Sequence, residues 1–325
     1  MRFILSRLLA ASLIALFSVW LYNTLWFQEL EYSGLDLWFS LRKPEKAPED
    51  VIVIALDEES YDNLEVPMNK PWPRTLHAQL LRRLAKAGAR KVVFDVIFGG
   101  PSDSEEADME LAEAFGLLPT AIGVEVIQIT DEAQTEAAVQ MDVETDKEKI
   151  FLPYAPFQKT VAELASVKKR TDGRFLRRFA RTIHDDERNR DYRSLAAAGA
   201  NLPEGSLLPD DNDLIWFYGP SRTVKTVPYF DALDEEWVPD AEFTDKVIYV
   251  GLALQTALGP AQKDAFRTPF PERGDTFGVE IHATAALNLI HKQWIERFPF
   301  EREALTYGAS VFTLAMLMFL LPPGI

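Results

Sequence analysis

The chain has 325 residues, of which 47% are hydrophobic and 26% charged, values typical of a folded protein rather than a disordered one. Its formal net charge of −16 disfavours a nucleic-acid partner, because phosphate binding needs clustered lysine and arginine. The absence of cysteine excludes disulfides, thiolate catalysis and cysteine-ligated zinc, and four histidines leave little material for a histidine-rich metal site.

The N-terminus carries a nearly continuous apolar segment, LLAASLIALFSVWLYNTLWF, at 8–27. A bilayer is crossed by a helix of about 20 such residues, so we predict a transmembrane anchor within 1–27. Arg2 and Arg7 precede the apolar segment, and the positive-inside rule then places the N-terminus in the cytoplasm. A cleaved signal peptide is the alternative, but the bulky SVWLYNT sequence lacks the small residues of a cleavage site.

Two apolar, β-branched runs follow, VIVIAL at 51–56 and KVVFDVIF at 91–98, and both are typical of strands buried on two faces. Between them, residues 74–87 repeat leucine at helical spacing with arginine and lysine on the other side. A strand, a helix and a strand in this order predict a right-handed parallel unit.

Further elements of the same kind continue along the chain. The patterns predict helices at 108–116 and 277–290 and strands at 120–127, 214–219 and 246–253. The predicted fold class is therefore α/β, a mostly parallel sheet with helices on both faces.

Residues 165–182 differ, because Asp172-Gly173 between strand-capable runs predicts a β-hairpin extension. The segment has seven basic residues, which indicate either an anion or lipid-headgroup patch or a solvated hairpin: Lys168, Lys169, Arg170, Arg174, Arg177, Arg178 and Arg181.

The segment 131–149 is acidic and has few apolar residues, which is typical of a surface insertion. Its alternating acidic residues suggest a calcium loop. That interpretation is disfavoured, because Lys147 stands where the loop needs glycine and Pro153 falls at position twelve. We therefore predict no metal and no cofactor.

A second apolar segment, at 304–321, predicts another transmembrane helix, with a buried core helix as the alternative. Two spans would place 28–303 outside the cytoplasm, in the periplasm or extracellular space of a bacterium whose inner membrane holds both spans. The final 322–325 resembles a turn, after which a longer protein would continue into further spans.

Catalytic signatures are absent from the sequence: there is no G-x-S-x-G, Walker loop, H-E-x-x-H or G-x-G-x-x-G. Acidic residues are plentiful, but no spacing among them selects a pair for acid/base chemistry.

Several segments in order carry a resemblance to a known family, namely VIVIALDEES, WPRTLHAQLLRRLAKAGARKVVFDVIFGGPS, SVKKRTDGRFLRR, LIWFYGP, DKVIYVGLA, KDAFRTPF and FGVEIHATAALNLI. The chain resembles the type-two CHASE family of extracellular sensory domains, which are associated with cyclases and histidine kinases. The resemblance covers roughly 30–295, nearly everything between the spans. One departure is MNKPWPR, which lacks the first tryptophan of the family's longer W-P-W-P pattern.

The resemblance implies a non-enzymatic signal-input module of a membrane protein whose effector is an adenylate or guanylate cyclase or a sensor kinase. Its implied partners are the membrane and an undefined small-molecule or protein ligand, and the sequence leaves a homodimer open. A membrane-anchored periplasmic enzyme of α/β type and a structural or scaffolding domain are the two alternatives.

Open α/β sheets bind ligands beyond the carboxyl ends of their parallel strands. Candidates for such a site follow the predicted strands or lie in the C-terminal loop and helix: Asp57, Trp72, Arg74, Asp95, Asp264, Glu280 and His282. Structural roles are the alternatives: Asp57 caps a turn, Asp95 hydrogen-bonds local backbone, Arg74 anchors its loop through Asp57 or Asp95, and His282 is a satisfied polar residue on a packed helix. The residues would then form a structural ion-pair cluster rather than a pocket. These residues suit either an anion or a cation.

Overall fold

The computed structural model describes residues 2–128, 148–172, 175–203, 206–255, 264–270 and 274–320. The chain divides into two compact units, one made of Met1–Arg42 with Glu296–Ile325 and the other of Lys43–Ile295.

The secondary-structure elements are numbered here in chain order. The helices are α1 Arg2–Tyr22, α2 Leu25–Leu41, α3 Glu58–Asn63, α4 Arg74–Lys86, α5 Glu105–Phe115, α6 Ala155–Thr160, α7 Leu195–Ala200, α8 Tyr229–Ala232, α9 Gly278–His291 and α10 Phe300–Leu320. The strands are β1 Val51–Leu56, β2 Lys91–Asp95, β3 Thr120–Gln128, β4 Glu148–Phe151, β5 Glu163–Ser166, β6 Thr171–Asp172, β7 Phe175–Leu176, β8 Ile183–Asp185, β9 Arg190–Tyr192, β10 Leu214–Ile215, β11 Thr226–Pro228, β12 Val247–Leu252, β13 Ala265–Phe266, β14 Thr276–Phe277 and β15 Trp294–Ile295.

The smaller unit contains α1, α2 and α10. Helix α1 packs closely on α10, where a Cβ on Gly308 would lie 2.9 Å from the Cγ2 of Val19. In the described part of the chain one helix, Ile4–Tyr22, is long and apolar enough to cross a membrane, and it lies near the N-terminus. Residues 304–320 of the second span, predicted at 304–321, belong to α10, and that span stays a prediction.

The larger unit is built on a central sheet of strand order β11-β1-β12-β2-β3, in which β3 also pairs with β4 and β5. Every pairing in it is parallel except that of β4 with β3. The predicted mostly parallel sheet is therefore confirmed. Strand β12, which comes late in the chain, lies between β1 and β2, where Ile248 is the register partner of both Ile52 and Val92.

Both faces of the sheet are covered, as the uninterrupted apolar runs predicted. In β1, Ile52 and Ile54 belong to the main hydrophobic cluster, which also contains the leucines of α4. The alternating residues Val51 and Val53 are equally buried on the other side, where α9 packs. Helices α4 and α5 pack together on the first face, and α7 and α9 on the second.

The hairpin predicted from Asp172-Gly173 is confirmed, because β6 and β7 pair antiparallel, but Asp172 lies in β6 as the register partner of Phe175. The interpretation of its basic residues as a solvated face is wrong for Arg177 and Arg178, which are buried, and for Lys169, whose side chain is 9% exposed.

One other segment differs from its prediction. The strand predicted at 214–219 is limited to β10, which pairs with β15 outside the central sheet. The acidic insertion at 131–149, with its rejected calcium loop, lies outside the described residues except for the start of β4.

Candidate functional site

The topology of the central sheet creates one position where a ligand site is expected. The helix that follows β12 lies on one face, whereas the helices that follow its neighbours β1 and β2 lie on the other. Such a switch point leaves a crevice beyond the carboxyl ends of the strands, because successive connections diverge there. Asp57 follows β1 and Asp95 ends β2, so both lie at this edge of the sheet.

Four predicted or neighbouring side chains form what we term the buried charge cluster: Asp95, Lys169, Asp264 and His282. The ammonium Nζ of Lys169 lies 3.2 Å from Oδ2 of Asp95 and 3.0 Å from Oδ2 of Asp264. Nε2 of His282 lies 4.0 Å from Oδ2 of Asp95. Three candidates far apart in the sequence are thus brought together, and a lysine joins them.

Burial dominates the electrostatics of the buried charge cluster. Burial, followed by the ammonium of Lys169, lowers the pKa of His282 from 6.5 to about 3, so its imidazole is neutral. Burial opposes the charge of Lys169, but the carboxylates of Asp95 and Asp264 outweigh it and raise the pKa of the lysine. Burial and the charge of Asp95 raise the pKa of Asp264. The lysine is therefore a counter-ion rather than a nucleophile at neutral pH.

Two glycines allow α9 and β12 to approach this cluster. A Cβ on Gly278, the first residue of α9, would collide with the side chains of Asp264 and Lys169. A Cβ on Gly251 in β12 would lie 2.8 Å from Cβ of Val279 and 3.1 Å from Cβ of Asp95. The start of α9 therefore closes directly over the buried charges.

Asp57 has a structural role, that of capping, which the sequence offered as the alternative to ligand binding. It is the N-cap of α3, where Oδ1 accepts hydrogen bonds from the backbone N–H of Ser60 at 3.0 Å and from its hydroxyl at 2.6 Å.

Trp72 and Arg74 belong to the hydrophobic face of the sheet. Trp72 is buried edge-on between Tyr61 and Tyr229, with ring centres 4.6 and 5.0 Å away. The guanidinium of Arg74 pairs with Asp108, donates to the carbonyl oxygen of Gly100 and lies 4.9 Å from the ring centre of Phe157. The predicted anchoring of Arg74 through Asp57 or Asp95 is therefore wrong, because Asp108 is the partner.

Glu280 organises a loop. Its carboxylate accepts from the backbone N–H of Arg222 at 2.7 Å and of Val224 at 3.3 Å, and Oγ of Ser221 lies 3.4 Å away. The residue is buried, and burial raises its pKa. Since Arg222 has a φ of +68°, in the left-handed region, these hydrogen bonds hold a backbone conformation that a non-glycine residue rarely adopts.

A cavity of about 410 Å³ opens beside this loop and the carboxyl end of β12. Its described lining includes Ser221, Arg222, Leu254, Gln255, Ala265 and Phe277. Ala265 directly follows Asp264, and Phe277 directly precedes α9, so the cavity adjoins the segments that carry the buried charge cluster.

A comparison with protein-family models identifies the family to which this chain belongs. The CHASE2 domain model matches residues 10–321, nearly the whole chain. The chain belongs to the CHASE2 domain family. No curated protein and no solved structure matches it. The family match confirms the resemblance inferred from the sequence motifs. CHASE2 domains are extracellular sensory domains of signalling proteins and are not catalytic.

In the described part of this CHASE2 domain, no three histidine and acidic side chains are placed to hold a metal ion. Lys169 is the site residue that the sequence does not predict, because the sequence assigns it to the basic residues of the hairpin. Its position three residues before Asp172-Gly173 does not indicate that its side chain is buried.

The role of Glu280 can be tested with Glu280→Gln. We expect a loss of about 1–3 kcal/mol in the free energy of unfolding at pH 7, because an amide cannot accept the loop's N–H groups with both of its polar atoms. Since its pKa is raised in the folded state, wild-type Glu280 contributes stability as the pH falls toward the unfolded-state value of about 4.3. Denaturant unfolding should therefore show a difference between wild type and variant that grows as the pH falls from 7 toward about 4.3. A free energy of unfolding that Glu280→Gln leaves unchanged at pH 7 would contradict this role.

Proposed function

We propose that this CHASE2 domain is the extracytoplasmic signal-input module of a bacterial transmembrane signalling protein. The observation that carries the proposal is the family match over 10–321, which includes most of an apolar N-terminal helix of membrane-spanning length. Ligand binding or a dimer-linked change outside the membrane would favour one of two states of the domain, and the membrane helices would transmit that preference. The output would be an adenylate or guanylate cyclase or a sensor kinase.

The proposed topology has a cytoplasmic N-terminus, residues 28–303 outside and a second span at 304–321 in the inner membrane. Arg2 and Arg7 support this orientation through the positive-inside rule. Helix α10 supports the second span by its 21-residue length, about that needed to cross a bilayer.

Reporter fusions test this topology. We expect alkaline phosphatase, which is active only outside the cytoplasm, to be active when joined after residue 298 and inactive when joined after residue 321. Green fluorescent protein, which folds in the cytoplasm, should give the opposite pattern at the two positions. Inactive phosphatase at the first position would refute the extracytoplasmic placement, and active phosphatase at the second would refute the second span.

The output class is tested by the coding sequence downstream of codon 325. A cyclase or kinase domain in the same reading frame would support the proposed output, and an unrelated downstream domain would contradict it.

A further inference from the structure

The cavity beside β12 has features of a small-molecule site. Its volume of about 410 Å³ is within the range of roughly 300–1,000 Å³ that such sites occupy. It lies at the carboxyl end of β12, the strand at which the connections of the sheet diverge, which is where open α/β sheets bind ligands. Leu254 and Phe277 provide an apolar wall.

Among the described residues that line the cavity, Arg222 carries the exposed charge. Its guanidinium makes no ion pair with any described residue. The carboxylate of Glu280, behind the same loop, is occupied by backbone N–H groups, and Asp275 on the cavity wall already has an interaction partner. A guanidinium recognises a carboxylate through paired, charge-assisted hydrogen bonds.

We infer that the cavity binds a small organic carboxylate with an apolar body, in which Arg222 pairs with the carboxylate and Leu254 and Phe277 contact the apolar part. Glu280 is a positioning residue in this site, because it holds the loop in the left-handed conformation that presents Arg222. The inference deepens the proposed sensory function by naming a ligand class for it.

The test is a thermal-shift measurement on the full chain in neutral detergent with three probes of one shape: benzoate, benzamide and benzylamine. We expect benzoate in tenfold excess over its dissociation constant to raise the melting temperature by roughly 2–5 °C, and the neutral and cationic probes to leave it unchanged. Shifts of similar size with benzamide or benzylamine, or no shift with benzoate, would overturn the inference.

Variants locate the binding. R222Q removes the charge from an exposed side chain, and A265L fills the cavity without changing any charge, so each should abolish the benzoate shift. R90Q is the matched control, because Arg90 is also exposed and precedes β2 at the opposite edge of the sheet; the shift should persist. A benzoate shift that survives R222Q would also overturn the inference.

The binding assay does not depend on topology or signalling, so the two proposals fail separately. Active phosphatase after residue 298 with no benzoate binding would overturn the ligand class alone. Benzoate binding with inactive phosphatase there would overturn the extracytoplasmic function alone.

Discussion

Replacing Lys169 by methionine is expected to destabilise the protein by about 3–5 kcal/mol at pH 7, the usual cost of removing one partner from a buried ion pair. Asp95 and Asp264 would then face each other without the ammonium that lies within 3.2 Å of both. For a domain of this size the loss corresponds to a melting temperature lower by roughly 8–15 °C, measured by calorimetry on the full chain in detergent.

The pH dependence of Lys169→Met has a definite sign. The pKa of Asp264 is already raised, and losing the ammonium that opposes this shift would raise it further. A carboxyl with a raised folded-state pKa binds its proton more readily in the folded state, so the variant gains stability as the pH falls. The deficit relative to wild type should therefore shrink between pH 7 and about pH 4.

Two further variants test whether the loss of stability comes from the ion pairs. Lys159→Met, at an exposed position of α6, should change stability by less than about 0.5 kcal/mol. The triple variant Lys169→Met, Asp95→Asn, Asp264→Asn removes the uncompensated charges together and should recover much of the loss. Additive losses in the triple variant would show that the ion pairs are not the cause.

Replacing Arg74 by alanine is expected to cost about 3–5 kcal/mol, again because a buried carboxylate loses its partner. The side chain of Asp108 is 1% exposed and that of Arg74 is 11% exposed, so solvent cannot replace the ion pair. Contact of the guanidinium with the ring of Phe157 is lost as well. Thermal melting of the full chain measures the effect.

The pH dependence here starts from a lowered pKa. Burial would raise the pKa of Asp108, but hydrogen bonds from Ser102 and the guanidinium of Arg74 together lower it. Its contribution to stability is therefore present above the unfolded-state pKa of about 3.9 and is lost as the pH falls below it. The deficit of Arg74→Ala should be largest at neutral pH and shrink toward pH 3.

Arg82→Ala is the matched control for Arg74→Ala. Arg82 lies on the same helix and also pairs with a carboxylate of α5, that of Glu110, but its side chain is 48% exposed. Exposed pairs contribute less than about 1 kcal/mol, so this variant should melt close to wild type. Unchanged melting of Arg74→Ala combined with a lost signalling response would show that Arg74 is a ligand contact rather than a scaffold residue.

The elements that could be predicted from the sequence are those whose pattern is local. VIVIAL and the leucine repeat of α4 lie within a few residues of their predicted bounds, because strand and helix periodicities are properties of contiguous residues. Asp172-Gly173 likewise predicted the hairpin of β6 and β7, because turn-forming residues favour pairing of the runs next to them in the chain. The strand predicted at 214–219 is wrong beyond β10, because an apolar run can be buried in a loop as well as in a strand.

The candidate site was predictable only in part. The topology rule placed Asp95, Asp264 and His282 at one edge of the sheet, and they do lie together around Lys169. Whether they contact a ligand stays a prediction. Lys169 itself is 74 residues from Asp95 and 95 from Asp264, so no local pattern indicates that a lysine beside a hairpin turns inward.

By itself, the sequence determined the parallel α/β class, the apolar N-terminal helix and the CHASE2 family, because each depends on local periodicity or on ordered short motifs. Tertiary structure alone decided that β12 inserts between β1 and β2, that Arg74 pairs with Asp108, and that Lys169 is buried between two carboxylates. It also decided that Glu280 holds Arg222 at the cavity. The reason is physical: ion pairs and strand neighbours form between residues far apart in the chain, and their energies depend on burial, which no single segment specifies.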